Sequence, residues 1–134
     1  MKDILDEESR KALINYRIQR AYETMKEAKL MIRETFYNAA VNRMYYACYY
    51  ATIALLLKND IQTQTHNGVK TMLGLHFVST GKIPLKIGKI FTTLFEKRHS
   101  GDYDDFVFCD KEMVDELFPQ AELYIKSVDE LLKE

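Results

Sequence analysis

Three stretches of this chain have residue types that could do chemistry: Asn42-Arg43-x-Tyr45-Tyr46, Thr65-His66-x-Gly68 and Arg98-x-x-x-Asp102-Tyr103. Arginine presents a planar, permanently charged fork that matches the oxygens of a carboxylate or a phosphate. Tyrosine rings beside it can stack on a base. Asn42 and Tyr46 lie one helical turn apart, so both can face a common pocket. Two readings of the group stand side by side. In one, a buried Arg–Asp lock built on Arg43 and the 98–106 stretch fixes the register of the fold, and tyrosine hydroxyls satisfy the remaining donors. In the other, Arg43 and Arg98 face a polar groove and take the phosphate of a nucleotide or of RNA. The two are compatible if Asp102 holds one arginine while the other faces outward.

The histidines divide by position. His66 stands at a helix start, where the dipole disfavours its protonated form, so it is read as a neutral hydrogen-bonding group. His76 is read as core or groove lining. His99 adjoins Arg98, but neighbouring helical positions point about 100° apart, so the two share a site only where the helix frays. No serine or cysteine stands beside a histidine as an activated nucleophile. Cys48 and Cys109 make no disulfide framework, and neither has a second Cys or His at ligand spacing. The expectation is a chain from a reducing cytosol with no metal and no cofactor.

Positioning such groups requires a core. The chain has 134 residues, 47% of them hydrophobic, and a formal net charge of −1. That composition predicts one folded domain over 1–134, neither disordered nor broadly basic. The uncharged run from Met44 to Leu57 is too short to span a bilayer, and the acidic start MKDILDEES is no signal peptide. A cytoplasmic location follows as an expectation.

Apolar residues recur with helical period throughout. Ile14, Ile18, Ala21, Met25, Ala28 and Ile32 form the seam of a first helix from residue 6 to about 34, with Arg10, Lys11, Arg17, Arg20, Lys26, Glu23 and Glu27 on solvated faces. Phe36, Ala40, Arg43, Ala47, Tyr50, Ala54 and Leu57 share one face of a second, which places the Arg43 cation on a packed seam. Thr35 is a possible cap between the two, in a turn tight enough to make them antiparallel. Thr65 caps a third helix, with Val69, Met72, Leu73, His76 and Phe77 inward and Gly68 and Gly74 allowing close backbone approach. Gly81 suits the left-handed position after it. Pro84 opens a fourth helix whose stripe runs to Arg98, Gly101 closes it, and 106–108 latches a loop to the core. Asp110 caps the last helix, which Pro119 should kink or split near 111–117. The fold class expected is all-α, an up-down bundle of four or five helices.

Charge is asymmetric. Five cations from Lys82 to Arg98 face Glu96 alone, and seven carboxylates from Asp102 to Glu116 face Lys111 alone. Lys82, Lys86 and Lys89 are read as one helical face. Such adjoining patches suit nucleic-acid contact or a self-complementary dimer.

Phe36–Leu57, Thr65–Ile83 and Leu94–Phe106, in that order, make the chain resemble the HEPN superfamily (higher eukaryotes and prokaryotes nucleotide-binding). The similarity runs from about Arg10 to Leu131 and is greatest to small stand-alone prokaryotic members, often found beside minimal nucleotidyltransferases. It implies a helical bundle that dimerises, with a polar groove at the dimer interface. Many such domains are ribonucleases carrying an arginine, four to six intervening residues and a histidine. Here the qualifying positions hold Tyr103, Asp104 and Asp105 after Arg98, and Cys48, Tyr49 and Tyr50 after Arg43. The usual proton-transfer residue is therefore missing, and Tyr103 occupies the loop where related toxin–antitoxin pairs carry a tyrosine that the partner modifies. The resemblance implies a homodimeric accessory or binding module paired with a separately encoded nucleotidyltransferase, with Asn42, Arg43, Tyr46, His66, Arg98, Asp102 and Tyr103 as candidate ligand residues. The alternatives are an RNase-type toxin using His66 or His99 as acid/base, and a dimerising scaffold with no ligand.

Overall fold

The computed structural model describes residues 5–103 and 109–134, apart from the side chains of 99–103. Helix α1 (Glu7–Arg33) begins where Asp6 accepts a hydrogen bond from the N–H of Ser9, with Glu7 and Glu8 at the positive end of the dipole. The seam expected from periodicity is the buried one: Ile18, Ala21, Met25 and Ala28 are buried, and Ile14 and Ile32 are half-buried at its ends.

The reversal after α1 differs from expectation. Thr35 does not cap the second helix. It adopts the left-handed conformation at φ +64°, and Phe36 takes the cap position without a side-chain hydrogen bond. The N–H groups of Thr35 and Phe36 turn back to the carbonyls of Ile32 and Met31, closing α1 as a Schellman motif. Helix α2 (Tyr37–Lys58) ends in the same way, with Asp60 at φ +58° and the Asp60 and Ile61 N–H groups on the carbonyls of Leu57 and Leu56.

Helix α3 (His66–Leu73) starts as expected, Thr65 accepting from the N–H of Gly68 at 2.8 Å. A Cβ on Gly68 would collide with the Thr63 and Thr65 side chains, but one on Gly74 would meet open space, so close approach does not explain Gly74. Gly74 instead opens a π-helical turn (Gly74–Val78), in which the Ser79 N–H reaches the Gly74 carbonyl at 2.9 Å. The wider turn shifts the helical phase. His76 is exposed, not core or groove lining, while Phe77 stays buried.

Helix α4 (Leu85–Tyr103) follows Pro84, whose carbonyl accepts from Ile87 and Gly88. Lys82 lies in the preceding turn, off the face expected to hold Lys86 and Lys89. The close approach is at Gly88, where a Cβ would sit 2.6 Å from Val78 Cγ2. Gly101 does not close the helix, which runs on to Tyr103. The 106–108 latch lies outside the described residues. Helix α5 (Lys111–Leu132) is capped by Asp110, which accepts from Met113, and it continues through Pro119 without splitting.

Helix α2 packs against α1, α3, α4 and α5. Against α1 it is antiparallel, since Arg10 reaches the Leu57 carbonyl, Arg17 that of Ile53, and Glu27 meets Arg43. Against α5 it is parallel: Thr52 bonds Tyr124 at 2.6 Å, and Lys58 donates to the carbonyls of Leu131 and Leu132 at the C-terminal end of α5. The Tyr22 phenol, its pKa pushed up to about 12 chiefly by burial, donates to Asp129 at 2.6 Å and ties α1 to α5. No strand occurs among the described residues, and no helix there is long and apolar enough to cross a membrane.

Thr35 is exposed and β-branched, in a conformation that costs an L-residue about 1–2 kcal/mol. Thr35→Gly therefore raises stability by about 1 kcal/mol after glycine's greater unfolded-state entropy is subtracted. Urea denaturation measures it, and an unchanged or lower midpoint would show that the turn is not strained.

Candidate functional site

On one flank of α2, Tyr45 and Tyr49 form one row with i,i+4 spacing and Tyr46 and Tyr50 another. The rows touch: ring centroids are 5.3 Å apart for Tyr45–Tyr46 and 6.2 Å apart for both Tyr46–Tyr49 and Tyr49–Tyr50. Tyr45 is fully buried and the other three are half-buried. Close packing of the alanines on α2 leaves these long side chains only the margins of the helix to occupy.

The α3 cap delivers His66 to this row. Its ring stacks on Tyr49 at 4.3 Å with planes 16° apart, meets Tyr46 edge-on, and shares a 2.7 Å hydrogen bond between Nδ1 and the Tyr45 hydroxyl. Burial holds the Tyr45 phenol well above its ordinary pKa, so that proton stays on the hydroxyl at neutral pH. His66 is shifted below the usual imidazole value by burial and then by the Arg98 charge, so it is neutral there.

Arg98 reaches the same row from α4. Its Nη2 donates to the Tyr46 hydroxyl at 3.0 Å, and its guanidinium carbon lies 5.5 Å from both the Tyr45 and Tyr46 ring centroids. Arg43 also reaches Tyr46, 5.3 Å from its centroid. Two cations distant in the chain thus meet at one ring. Arg43 is held by Glu27 at 3.3 Å and by the Asn42 side-chain oxygen at 3.1 Å.

The structure brings Asn42, Arg43, Tyr46, His66 and Arg98 together; the side chains of Asp102 and Tyr103 lie outside the described residues. Two expectations need correction. Arg43 is not sealed in the seam, because 30% of its side chain is exposed, and its acid is Glu27 of α1. Nor are the charges of α1 merely solvated. Arg10 pairs with Asp60, Arg17 reaches into α2, and Arg20 sits 5.2 Å from the Tyr50 centroid while sharing Glu27 with Arg43. Their signal is the seven-residue interval between Arg10 and Arg17 and between Arg20 and Glu27, which places each pair on one flank of the seam. Tyr45 and Tyr49 complete the cluster through His66.

The described residues form an all-helical bundle with an arginine–tyrosine cluster on its central helix. The HEPN domain profile matches residues 14–131, and the chain belongs to the HEPN domain family. A UPF0332 protein of Thermotoga maritima is 34% identical over 91% of this chain and 92% of its own length. A Methanocaldococcus jannaschii protein named as a candidate toxin is 32% identical over 100% of this chain and 98% of its own. A second candidate toxin of that organism is 25% identical over 86% and 78%.

Two outcomes follow. The Arg43–Glu27 pair is partly solvated, so Arg43→Met lowers stability by no more than about 1 kcal/mol. Denaturation checks it, and a loss of about 3 kcal/mol or more would mean a buried lock after all. His66 has a folded pKa below its unfolded value of 6.5, so the unfolded chain binds the extra proton. The His66 contribution is present above pH 6.5 and is lost as pH falls through the folded value. A His66→Gln variant should show a flatter fall in melting temperature over that window. An identical pH profile would refute the linkage.

Proposed function

We propose that this HEPN domain is an accessory binding module that takes phosphate groups of a nucleotide or of RNA across the Arg43–Tyr46–Arg98 cluster. The observation that carries the reading is the meeting of both guanidinia at one tyrosine ring. Each fork can take a phosphate, and the half-buried rings of Tyr46, Tyr49 and Tyr50 offer faces for a base. In this reading the module is a cytoplasmic homodimer, one folded domain over 1–134, and works with a separately encoded minimal nucleotidyltransferase. The toxin names of two relatives fit such a pair. Asp102 and Tyr103 belong to the proposed ligand set through the family resemblance.

A second reading rests on His66. A neutral imidazole beside the Arg98 charge pairs a proton acceptor with a group that stabilises phosphate charge, the elements of an RNase-type toxin with an unusual residue set.

One experiment addresses both. Fluorescently labelled single-stranded RNA is titrated with the protein between 50 and 200 mM salt, alongside Arg98→Met, and the RNA is then run on a gel. Arg98→Met should weaken binding about tenfold and reduce the salt slope by about 0.7, the value for one phosphate on a single strand. Binding that is absent at low salt, or unaltered in the variant, would overturn the proposal unless nucleotides bind instead, which thermal shift with ATP detects. RNA fragments produced by the wild type but not by His66→Gln would establish the second reading.

A further inference from the structure

A hollow of about 560 Å³ opens between α1, α2 and the 61–64 loop, on the α1 side of Tyr49. Its walls include Leu13 and Ile53, and the loop contributes Gln62 and Gln64, which are exposed. Arg17 also lines it. The Arg17 guanidinium is half-buried and donates to the Ile53 carbonyl at 3.3 Å, a mid-helix oxygen that the helix already uses.

Arg17 differs from its neighbours in its company. Arg10 reaches Asp60, Arg20 reaches Glu23 and Glu27, and Arg43 reaches Glu27. Among the described residues Arg17 has no carboxylate within 4.0 Å. Burial lowers its pKa, with Tyr49 acting in the opposite sense. A guanidinium partly removed from water without an acid is held at a net penalty, which an anion entering the hollow would relieve.

We propose that this hollow is a second ligand site, which takes a nucleoside monophosphate with the phosphate on Arg17 and the base against Tyr49 and the apolar wall. The fork of Arg17 suits a phosphate dianion, and the volume falls within the range of small-molecule sites, roughly 300–1,000 Å³. The Gln62 and Gln64 amides supply both donors and acceptors for a base edge. The site does not depend on Arg43 or Arg98, and shares only the Tyr49 ring with the function proposed above.

Thermal shift and calorimetry with AMP, GMP, CMP and UMP, with adenosine and inorganic phosphate as half-ligands, test it. At least one monophosphate should stabilise both the wild type and Arg98→Met, but not Arg17→Met. Adenosine and phosphate should each bind at least about tenfold more weakly than the best monophosphate. Because Arg17 has no acid to abandon among the described residues, unliganded Arg17→Met should melt within a few degrees of the wild type. Gln64→Glu, on the exposed loop, sets a carboxylate at the same rim and should also weaken binding, which keeps the test available should Arg17→Met not fold. No shift with any monophosphate would overturn the proposal. So would a shift that survives Arg17→Met or Gln64→Glu and disappears in Arg98→Met, since the ligand would then occupy the other cluster.

Discussion

The close approach of α1 and α2 is the constraint from which the remaining structure follows. Ala21 and Ala28 on one helix and Ala40, Ala47 and Ala54 on the other have no exposed surface. Side chains this small let helix axes come near the lower end of the usual 8–10 Å spacing. Bulky polar side chains are disfavoured where such small residues meet. Arginine and tyrosine at adjoining positions are therefore displaced to the two edges of the contact, where their stems cover apolar surface and their polar ends reach water or each other. One edge collects Arg43, Glu27, Arg20 and Tyr50, and Arg17 reaches across to the Ile53 carbonyl. The polar cluster is a by-product of how tightly the backbones pack.

That origin explains why Tyr46 is the meeting point. It is half-buried and belongs to the row next to the seam, so Arg43 can lie across it from within α2. Tyr45 lies one position earlier and points inward, to be sealed by Phe91 and Phe95 of α4. Arg98, one turn beyond Phe95 in sequence, arrives between buried Tyr45 and half-buried Tyr46 and contacts both rings. His66 is then fixed by three different interactions at once, a stack, an edge contact and a hydrogen bond. A side chain restrained in that many ways loses its freedom on folding, so little remains to be lost when a ligand arrives.

Much of the fold is legible in the sequence because its determinants are local. Asp6, Thr65 and Asp110 cap the helices they precede, and the seams of α1 and α5 follow a spacing that any aligned helix would bury. The two Schellman turns are harder to read because threonine and aspartate, not glycine, stand at the left-handed positions. Nothing in residue type announces the π-helical turn at Gly74, which alone moves His76 from the inner face to the surface. At the candidate site, residue type points to Arg43 and Arg98, but the partner of Arg43 depends on the register of α1 against α2. That register is fixed by alanine packing over many turns, not by any motif around Glu27. The separation of Arg17 from every carboxylate among the described residues is invisible for the same reason: it is a statement about which acids fail to reach it.

The cluster also constrains what could happen to a phosphate held there. Two guanidinia supply fixed positive charge, which stabilises a bound phosphate and a more highly charged transition state alike. Acceleration requires something further, a group that takes a proton from the attacking hydroxyl and another that returns one to the leaving oxygen. Neutral His66 meets the protonation requirement for the first task, yet its Nδ1 is already engaged by Tyr45 and one ring face is covered by Tyr49. Tyr45 is a poor donor or acceptor of protons at neutral pH, since burial raises its pKa away from the working range. Among the described residues of this site, charge and stacking surface are thus abundant, while mobile protons are scarce. Under the function proposed above, such a balance favours holding a phosphate over breaking its ester.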